Sequence, residues 1–404
     1  MCLDNLIKMR KVGKFINDIF RTVCNEFRLA MKDKGVLIFL FLVPLLYPVV
    51  YALIYNPELD RDVPVVVVDQ SRSSKSRDLC RRIDASEAAM VAGYAADMEE
   101  AKRFMAEKKS YGIVLIDRDF DRNIGRGESG QVTLYCDMSL LIRYKSLLMA
   151  LTESTMDLGS DIRVEEVSRL GAAAPSIPAT VGSAYYPLGN PEQGFATFLL
   201  PGIVILVVQQ TMLLAICMMG GAIYERRRMN GGIDPLDTVG SGTVARLFGK
   251  AAVYLILYVL QLFYLIYFVP AIFSYPQMGS LWEEFLMCLP YMLGVIFLGL
   301  TLQLLSRERE TVFLLIVFTS VLLLFLSGVL WPTFGMNNFL QFLGGCFPST
   351  WAMQAFVRMN ANGATLSDVS HEYYMMWLLV VVYFLMAFVG NKVAEYKYRH
   401  CQKL

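Results

Sequence analysis

The sequence predicts an α-helical integral membrane protein with six transmembrane helices and an inserted α/β domain outside the membrane. Hydrophobic residues make up 55% of the 404 residues and charged residues only 18%, whereas soluble domains carry ~25% charged residues. Six long stretches also contain no charged side chain, and crossing ~30 Å of hydrocarbon takes about 20 apolar residues. The stretches lie between Lys34 and Glu58, Glu192 and Glu225, Lys250 and Glu283, Glu284 and Arg307, Glu310 and Arg358, and Glu372 and Lys392.

The composition also excludes several functions. The formal net charge is +1, which gives no reason to expect a nucleic-acid partner. The chain has only two histidines, His371 and His400, and its eight cysteines include no Cys-x-x-Cys pair. We therefore predict no metal site, no catalytic residues and no bound cofactor in this chain.

Residues 1–34 are expected to be a cytoplasmic segment, followed by a first transmembrane helix at 35–57. Within the segment, apolar residues at spacings of three and four predict an amphipathic helix over 14–33. Such a helix fits the inner membrane interface, although an ordinary solvated helix stays open. The basic segment is long and no small-x-small site follows the apolar run, so we expect an uncleaved anchor.

Residues 58–192 form a polar insert large enough to be an external (periplasmic) domain. Strands are predicted at 63–69, 88–94, 111–117 and 132–136, and they alternate with helices at 73–84, 97–107 and 140–170, which indicates a small α/β domain. Cys80 and Cys136 could form a disulfide or occupy core positions. The alternating Asp117, Asp119 and Asp121 lack the glycine and glutamate spacing of an EF-hand and are interpreted as turn residues.

Residues 193–391 are predicted to form a five-helix transmembrane domain, with a cytoplasmic tail at 392–404. The uncharged run from 311 to 357 is long enough for two spans. Its second half, however, contains Pro, Gly and Asn residues that would leave backbone groups unsatisfied in lipid. We therefore expect one span at 311–330 and a re-entrant or interfacial hairpin at 332–358. Six spans place both termini on one side.

Lysine and arginine decide which side is cytoplasmic. They are frequent in residues 1–34, in the 222–250 and 306–310 loops and in the tail, and nearly absent from 274–282 and 331–372. The first group is therefore predicted to be cytoplasmic.

This layout, together with several short motifs, resembles the type-2 ABC exporter permeases over nearly the whole chain. The motifs are a proline-bearing first span, a Pro-Gly opening the second span, a Glu-Arg-rich turn, a Gly-Thr-x-acidic-x-Leu element and a Gly-Lys before the third span. In this chain they are Pro44 and Pro48, Pro201-Gly202, Glu225-Arg226-Arg227-Arg228, Gly231-Gly232-Ile233-Asp234-Pro235-Leu236 and Gly249-Lys250. Glycine replaces the threonine of the fourth motif at Gly232.

The resemblance implies that residues 14–33 are an "elbow" helix and that the chain works as a homodimer, or with a paralogue, in the inner (cytoplasmic) membrane. No Gly-x-x-x-x-Gly-Lys-Ser/Thr phosphate loop is present, so a separate ATPase subunit is expected to bind ATP and Mg. A periplasmic adaptor and membrane lipids are further expected partners. The implied ATPase-coupling residues are Glu225, Arg226, Arg227, Gly231 and Asp234; the alternative is that the arginines only anchor the topology.

The implied function is ATP-driven outward transport of a hydrophobic or amphipathic molecule, such as a drug or a lipid. Gln209, Gln210 and Thr211 lie near the middle of the second predicted span, where they line a path or hold helices together. We expect no ionisable residue within a span, which favours an external source of energy. A membrane receptor or docking protein that acts through the external domain is the alternative; a membrane-anchored enzyme is disfavoured.

Overall fold

The computed structural model describes residues 2–55, 61–137, 141–170, 195–230 and 242–401. The chain divides into two compact units. One combines Met1–Asn56 with Pro187–Leu404 and is called the membrane unit below; the other is Pro57–Tyr186 and is called the inserted unit.

Helices dominate the described residues, and the strands belong to the inserted unit. The helices are α1 Cys2–Lys32, α2 Lys34–Leu37, α3 Val43–Tyr55, α4 Ser74–Asp84, α5 Met98–Ala106, α6 Phe120–Gly125, α7 Leu141–Leu170, α8 Phe195–Met229, α9 Thr243–Phe263, α10 Val269–Phe273, α11 Leu281–Leu302, α12 Arg309–Leu326, α13 Asn338–Gly345, α14 Pro348–Asn362 and α15 Ser370–Cys401. The strands are β1 Val63–Asp69, β2 Ala89–Tyr94, β3 Gly112–Ile116 and β4 Val132–Cys136.

Within the described ranges, six helical segments are long and apolar enough to cross a bilayer, which confirms the number that the uncharged stretches predict. The segments are Lys34–Ile54, Ala196–Met229, Thr243–Phe273, Leu281–Leu302, Arg309–Leu326 and Ser370–Tyr396. In the most apolar part of Ala196–Met229, 89% of the residues are buried, against 17% in Arg309–Leu326. Helix α8 is therefore the central helix, and it packs against α11, α12 and α14.

Short π-helical stretches interrupt two of these segments, at Ile38–Leu42 and Tyr264–Phe268. Each stretch is followed two residues later by a proline, Pro44 or Pro270, which has no backbone N–H to donate to the carbonyl four residues earlier. Those carbonyls belong to Leu40 and Ile266. In both cases a glutamine side chain donates to them: Gln261 Nε2 to Leu40 O, and Gln277 Nε2 to Ile266 O. Because a side chain satisfies each carbonyl that the proline leaves without a backbone donor, the prolines are accommodated in these helices.

The chain after α12 contains short helices and no second span, while the re-entrant or interfacial hairpin stays a prediction. A 3-10 turn at Thr333–Gly335 leads to α13 and then to α14, and no second membrane-length helix occurs between α12 and α15, a stretch that is described throughout. Gly328 and Gly363 lie at the two ends of this region. Their φ angles are 86° and 67°, a left-handed conformation that glycine adopts without strain. The first turn of α14 is buried at Pro348, Ser349 and Thr350.

The inserted unit is a four-stranded sheet in the order β2-β1-β3-β4, parallel except for β4. Because successive side chains of β1 face opposite sides, Val65 and Val67 join a core with α4 and α7, while Val66 and Val68 join one with α5. The predicted strands and helices are present with small shifts at their ends, and α6 was not predicted. Cys80 and Cys136 are free thiols, so the structure has no disulfide between them.

Candidate functional site

The ATPase-coupling residues predicted from the sequence lie at the end of α8. Glu225, Arg226 and Arg227 belong to the last turns of this helix rather than to a loop. Basic side chains at this position interact favourably with the negative end of the helix dipole. Gly231 and Asp234, the other two predicted coupling residues, lie outside the described residues. The coupling role of all five stays a prediction.

The carboxylate of Glu225 belongs to an ion-pair network within the chain. Arg309, at the start of α12, places Nε 3.4 Å from Glu225 Oε2 and Nη1 2.8 Å from Asp33 Oδ2. The other oxygen of Asp33 caps α2, accepting from the backbone N–H groups of Gly35 and Val36 at 3.1 and 3.2 Å. One arginine therefore joins the end of α8, the start of α12 and the turn between α1 and α2.

Two glycines let α8 approach the turn between α11 and α12. A Cβ atom on Gly220 would overlap Cγ of Gln303, and one on Gly221 would lie 3.0 Å from Cγ of Arg309. Sequence reasoning missed Asp33, Arg309 and these glycines. The signal that could have found Asp33 is an aspartate directly before a helical pattern, which marks an N-cap; no pattern in the sequence pairs Arg309 with its two acids.

The amphipathic helix predicted at 14–33 is part of α1, which packs on α9. Its buried side carries Thr22, Glu26 and Ala30, whereas Phe20 and Phe27 are exposed. Glu26 accepts a hydrogen bond from Tyr254 Oη at 3.1 Å, and its other oxygen lies 3.6 Å from Lys250 Nζ.

The Gly-Lys motif at the start of the third span gains a structural explanation from this packing. A Cβ atom on Gly249 would lie 2.6 Å from Cβ of Thr22, so the glycine permits the close approach of α1. Lys250 then pairs with Glu26. Both residues of the motif therefore hold α1 against α9.

Gln209, Gln210 and Thr211 are buried in α8 but differ in their contacts. Gln209 binds Ser349 twice, with Nε2 donating to Oγ at 2.8 Å and Oε1 accepting from the backbone N–H at 2.9 Å, which joins α8 to the start of α14. Thr211 donates to Val207 O at 2.8 Å within its own helix. The amide atoms of Gln210 have no hydrogen-bond partner in the described part of the chain. The contacts favour helix joining for Gln209, and the path role stays a prediction best suited to Gln210.

The expectation that no ionisable residue lies within a span stays a prediction, but one buried acid lies at the start of a membrane-length segment. Glu284 falls in the first turn of α11, inside the apolar segment Leu281–Leu302, and is 0% exposed. Asn360 Nδ2 lies 3.4 Å from its Oε1, and Oε2 has no hydrogen-bond partner among the described residues. In the sequence, Glu283 and Glu284 only separate two uncharged runs. The packing of α14 against α11 shows that Glu284 is buried.

Comparison with known proteins places this architecture among transporters. A family model described as "ABC-2 family transporter protein" matches residues 34–389. The chain is also 23% identical over 305 residues to ABC transporter G family member 20 of Dictyostelium discoideum. That alignment covers 72% of this chain and 40% of the relative, so the chain spans about two fifths of the length of that curated protein.

Proposed function

The chain belongs to the ABC-2 family of transporter proteins, and from that membership we propose that it is the transmembrane permease of an exporter. In this proposal a separate cytoplasmic ATPase binds ATP with Mg and hydrolyses it. The permease, paired with a second copy or a paralogue, moves a hydrophobic or amphipathic substrate outward. The membrane subunit itself performs no hydrolysis.

The proposed topology follows from the distribution of basic residues. Both termini, the end of α8 and the turn between α11 and α12 lie on the cytoplasmic side of the inner membrane, and the inserted unit lies outside. Helix α1 is the elbow helix in the inner interface, a role supported by its exposed Phe20 and Phe27. The segment from Thr333 to Asn362 forms the external hairpin, and the inserted unit offers a surface for a periplasmic adaptor.

The observation that carries the coupling proposal is the contact of Arg309 with both Glu225 and Asp33. A force applied by the ATPase at the end of α8 would reach α12 and the turn after α1 through these ion pairs. Gly220 and Gly221 keep the same helices in van der Waals contact, so they would move together. Only 17% of the residues of α12 are buried, and displacement of this helix would then open the path at the seam between two permeases.

Conservative variants test this coupling after co-purification with the ATPase and reconstitution into vesicles. Arg309→Gln breaks both ion pairs, Glu225→Gln breaks one, and Arg226→Lys keeps the charge while removing a guanidinium. These groups are partly exposed, and solvent screening limits each contact to roughly 1 kcal/mol. We expect Arg309→Gln to lower ATP-dependent transport several-fold at equal membrane abundance, with a smaller loss for the other two.

Arg307→Gln is the matched control, because Arg307 is an exposed arginine two residues from Arg309. It should leave transport unchanged. Full transport in the Arg309, Glu225 and Arg226 variants would reject the coupling role and leave the arginines as a topology signal. ATP hydrolysis by the purified chain alone would reject the permease assignment itself.

A further inference from the structure

The inserted unit contains a cleft of about 450 Å³ between α6, β4 and the middle of α7. Pockets that bind small organic molecules typically have volumes of ~300–1,000 Å³. All residues that line the cleft lie between Phe120 and Ile162, so neither the coupling residues nor the proposed transport path includes it. The cleft is therefore a candidate site for a function other than the transport step.

The inner wall of the cleft is apolar. Phe120 and Leu158 are 4% and 6% exposed, and both belong to the core on the side of the sheet that packs against α4 and α7. The partly buried Ile124, Val132 and Ile162 extend this apolar wall. A molecule that occupies the cleft thus buries an apolar body against them, which is favourable in proportion to the area removed from water.

Gly159 keeps the cleft open on the side of α7. It lies in the interior of this helix, where a glycine is destabilising relative to alanine. A Cβ atom at Gly159 would have no atom of the described residues within 4 Å, whereas one at Gly130 would lie 2.8 Å from the ring of Phe120. Close packing therefore explains Gly130 but not Gly159. The space beside Gly159 is room for a bound molecule.

The polar groups of the lining accept hydrogen bonds more readily than they donate them. Thr155 lines the cleft one turn before Gly159, and its hydroxyl already donates to Leu151 O at 2.8 Å. The backbone N–H of Glu128 donates to Asn123 O at 2.9 Å. The Thr155 hydroxyl oxygen and the Glu128 carboxylate can still accept, so the lining suits a molecule that donates.

Glu128 gives the cleft its charge. It is the one charged residue of the lining, and its side chain is exposed at the rim. Within the described residues no cationic side chain lies within 4.0 Å of its carboxylate. Arg122 on α6 pairs with Asp119 at 2.8 Å instead, and Arg126 lies outside the lining. A protonated amine in the cleft would therefore form a charge-assisted hydrogen bond with Glu128.

We propose that this cleft binds a small molecule with an apolar body and a protonated amine, such as an arylalkylammonium ion. The body fills the space beside Gly159 against Phe120 and Leu158, and the ammonium group donates to the Glu128 carboxylate. The site is independent of which substrate is exported, in which direction and with which ATPase. It can therefore fail while the permease assignment stands.

The test measures protection of a single cysteine in the purified full-length chain, with the native cysteines replaced. Gly159→Cys places a thiol in the cleft, and the open space and the better helix propensity of cysteine favour folding of this variant. The probe 2-phenylethylammonium should slow alkylation of this thiol by iodoacetamide. Half-protection is expected at roughly 1 mM, because the probe has only about nine non-hydrogen atoms. Ser129→Cys, which is exposed and outside the lining, should show no protection.

A neutral probe tests the role of the charge. 2-Phenylethanol has the same apolar body with a hydroxyl group in place of the ammonium group. It should protect Gly159→Cys about threefold less well, the size of effect expected of an exposed ion pair. Adding Glu128→Gln should make the two probes equal.

Saturation-transfer NMR of 2-phenylethylammonium on the chain with its native cysteines gives a second readout. Gly159→Leu fills the cleft with a good helix former and should abolish the transfer. Thr152→Leu is the matched control, because Thr152 is exposed on the same helix outside the lining. It should keep the transfer.

Four results would overturn the proposal. Equal protection of Ser129→Cys and Gly159→Cys, or none at either, would show that the probe does not bind in the cleft. Equal protection by both probes before Glu128 is replaced would show that the cleft does not select a cation. Transfer that persists in Gly159→Leu would place the probe elsewhere. A Gly159→Cys thiol that does not react even without a probe would show that the cleft is closed in the full-length chain.

Discussion

At the scale of single residues, burial decides which polar groups of the membrane unit are tolerated. Gln209 uses both its donor and its acceptor on Ser349, and a buried amide that is satisfied in this way costs little. Glu284 is equally buried but retains an oxygen with no hydrogen-bond partner in the described residues. Gln209 is therefore explained by its role in joining helices, whereas the presence of Glu284 needs another reason.

Replacing Glu284 by glutamine should leave the membrane unit as stable as before or stabilise it by about 1 kcal/mol. The glutamine carbonyl can still accept from Asn360, and the variant removes the cost of burying a charge without a paired cation. Glu284→Ala should instead destabilise the protein, because it creates a cavity and leaves Asn360 without this contact. Thermal unfolding in detergent measures both variants.

Glu283→Gln is the control at the neighbouring position. Glu283 Oε2 accepts a hydrogen bond from the backbone N–H of Leu366 at 2.7 Å, and a glutamine oxygen can accept the same bond. If Glu284→Gln lowered the unfolding midpoint as much as Glu284→Ala, the carboxyl group itself would be required. The prediction would then be wrong.

Cys80 of the inserted unit gives a second prediction at this scale. Burial, followed by the nearby charge of Asp69, raises the pKa of its thiol from 9.0 to about 11. The thiolate that reacts with alkylating agents is therefore rare near neutral pH. We expect alkylation of Cys80 at pH 8 to be ~100-fold slower than that of an ordinary exposed cysteine.

A cysteine introduced at the exposed Ser129 supplies the comparison, with the other native cysteines replaced. The raised pKa also has a consequence for stability. The unfolded thiol loses its proton near pH 9 and the folded one near pH 11, so this contribution to the free energy of unfolding is present below pH 9 and declines above it. Equal alkylation rates at both positions would contradict the burial of Cys80.

At the scale of secondary-structure elements, the sequence predicts what depends on local composition. Charge-free stretches locate the six membrane-length segments because hydrocarbon excludes charge over a fixed thickness. The nearly continuous run of valines predicts β1 because a strand that is buried on both faces of a sheet is apolar throughout. The contact of Gln261 with Leu40 joins residues 221 positions apart. No local pattern contains it, and the same holds for Arg309 with its two acids.

Because Gln261 donates to the Leu40 carbonyl, we expect the loss of stability on replacing Gln261 to depend on Pro44. Gln261→Leu leaves the Leu40 carbonyl without the amide donor and should destabilise the membrane unit by about 1–3 kcal/mol. In a Pro44→Ala background the new backbone N–H can donate to that carbonyl, so the same substitution should cost less. A double-mutant cycle on thermal unfolding in detergent measures the difference.

The second proline and glutamine pair, Pro270 with Gln277, provides the matched cycle. Gln277→Leu should likewise cost less when Pro270 is replaced by alanine. Crossed combinations, such as Gln261→Leu with Pro270→Ala, should be additive because the two carbonyls are separate. An additive result for the matched pairs would contradict the role given to the glutamines.

At the scale of the whole molecule, the proposed topology assigns the inserted unit, the turns and the proposed ATPase contact each to one side of the membrane. The proposed topology rests on the positive charge of a few short loops. The structure adds a choice of positions at which to test it, since exposed residues accept a reporter cysteine without altering the packing. Gly279 is unsuitable, because a Cβ atom there would lie 2.6 Å from both Glu284 Oε1 and Met359 O.

Single cysteines at Ser129, Ser280 and Glu308, all exposed, should therefore label differently in a chain without its native cysteines. A membrane-impermeant maleimide added to intact cells or right-side-out vesicles should reach Ser129→Cys and Ser280→Cys but not Glu308→Cys. After permeabilisation all three should react, which shows that each thiol is accessible. Labelling of Glu308→Cys from outside would place the turn between α11 and α12 on the external side. The ion-paired junction of Glu225, Arg309 and Asp33 would then face away from any cytoplasmic ATPase, and the coupling proposal would fail with the topology.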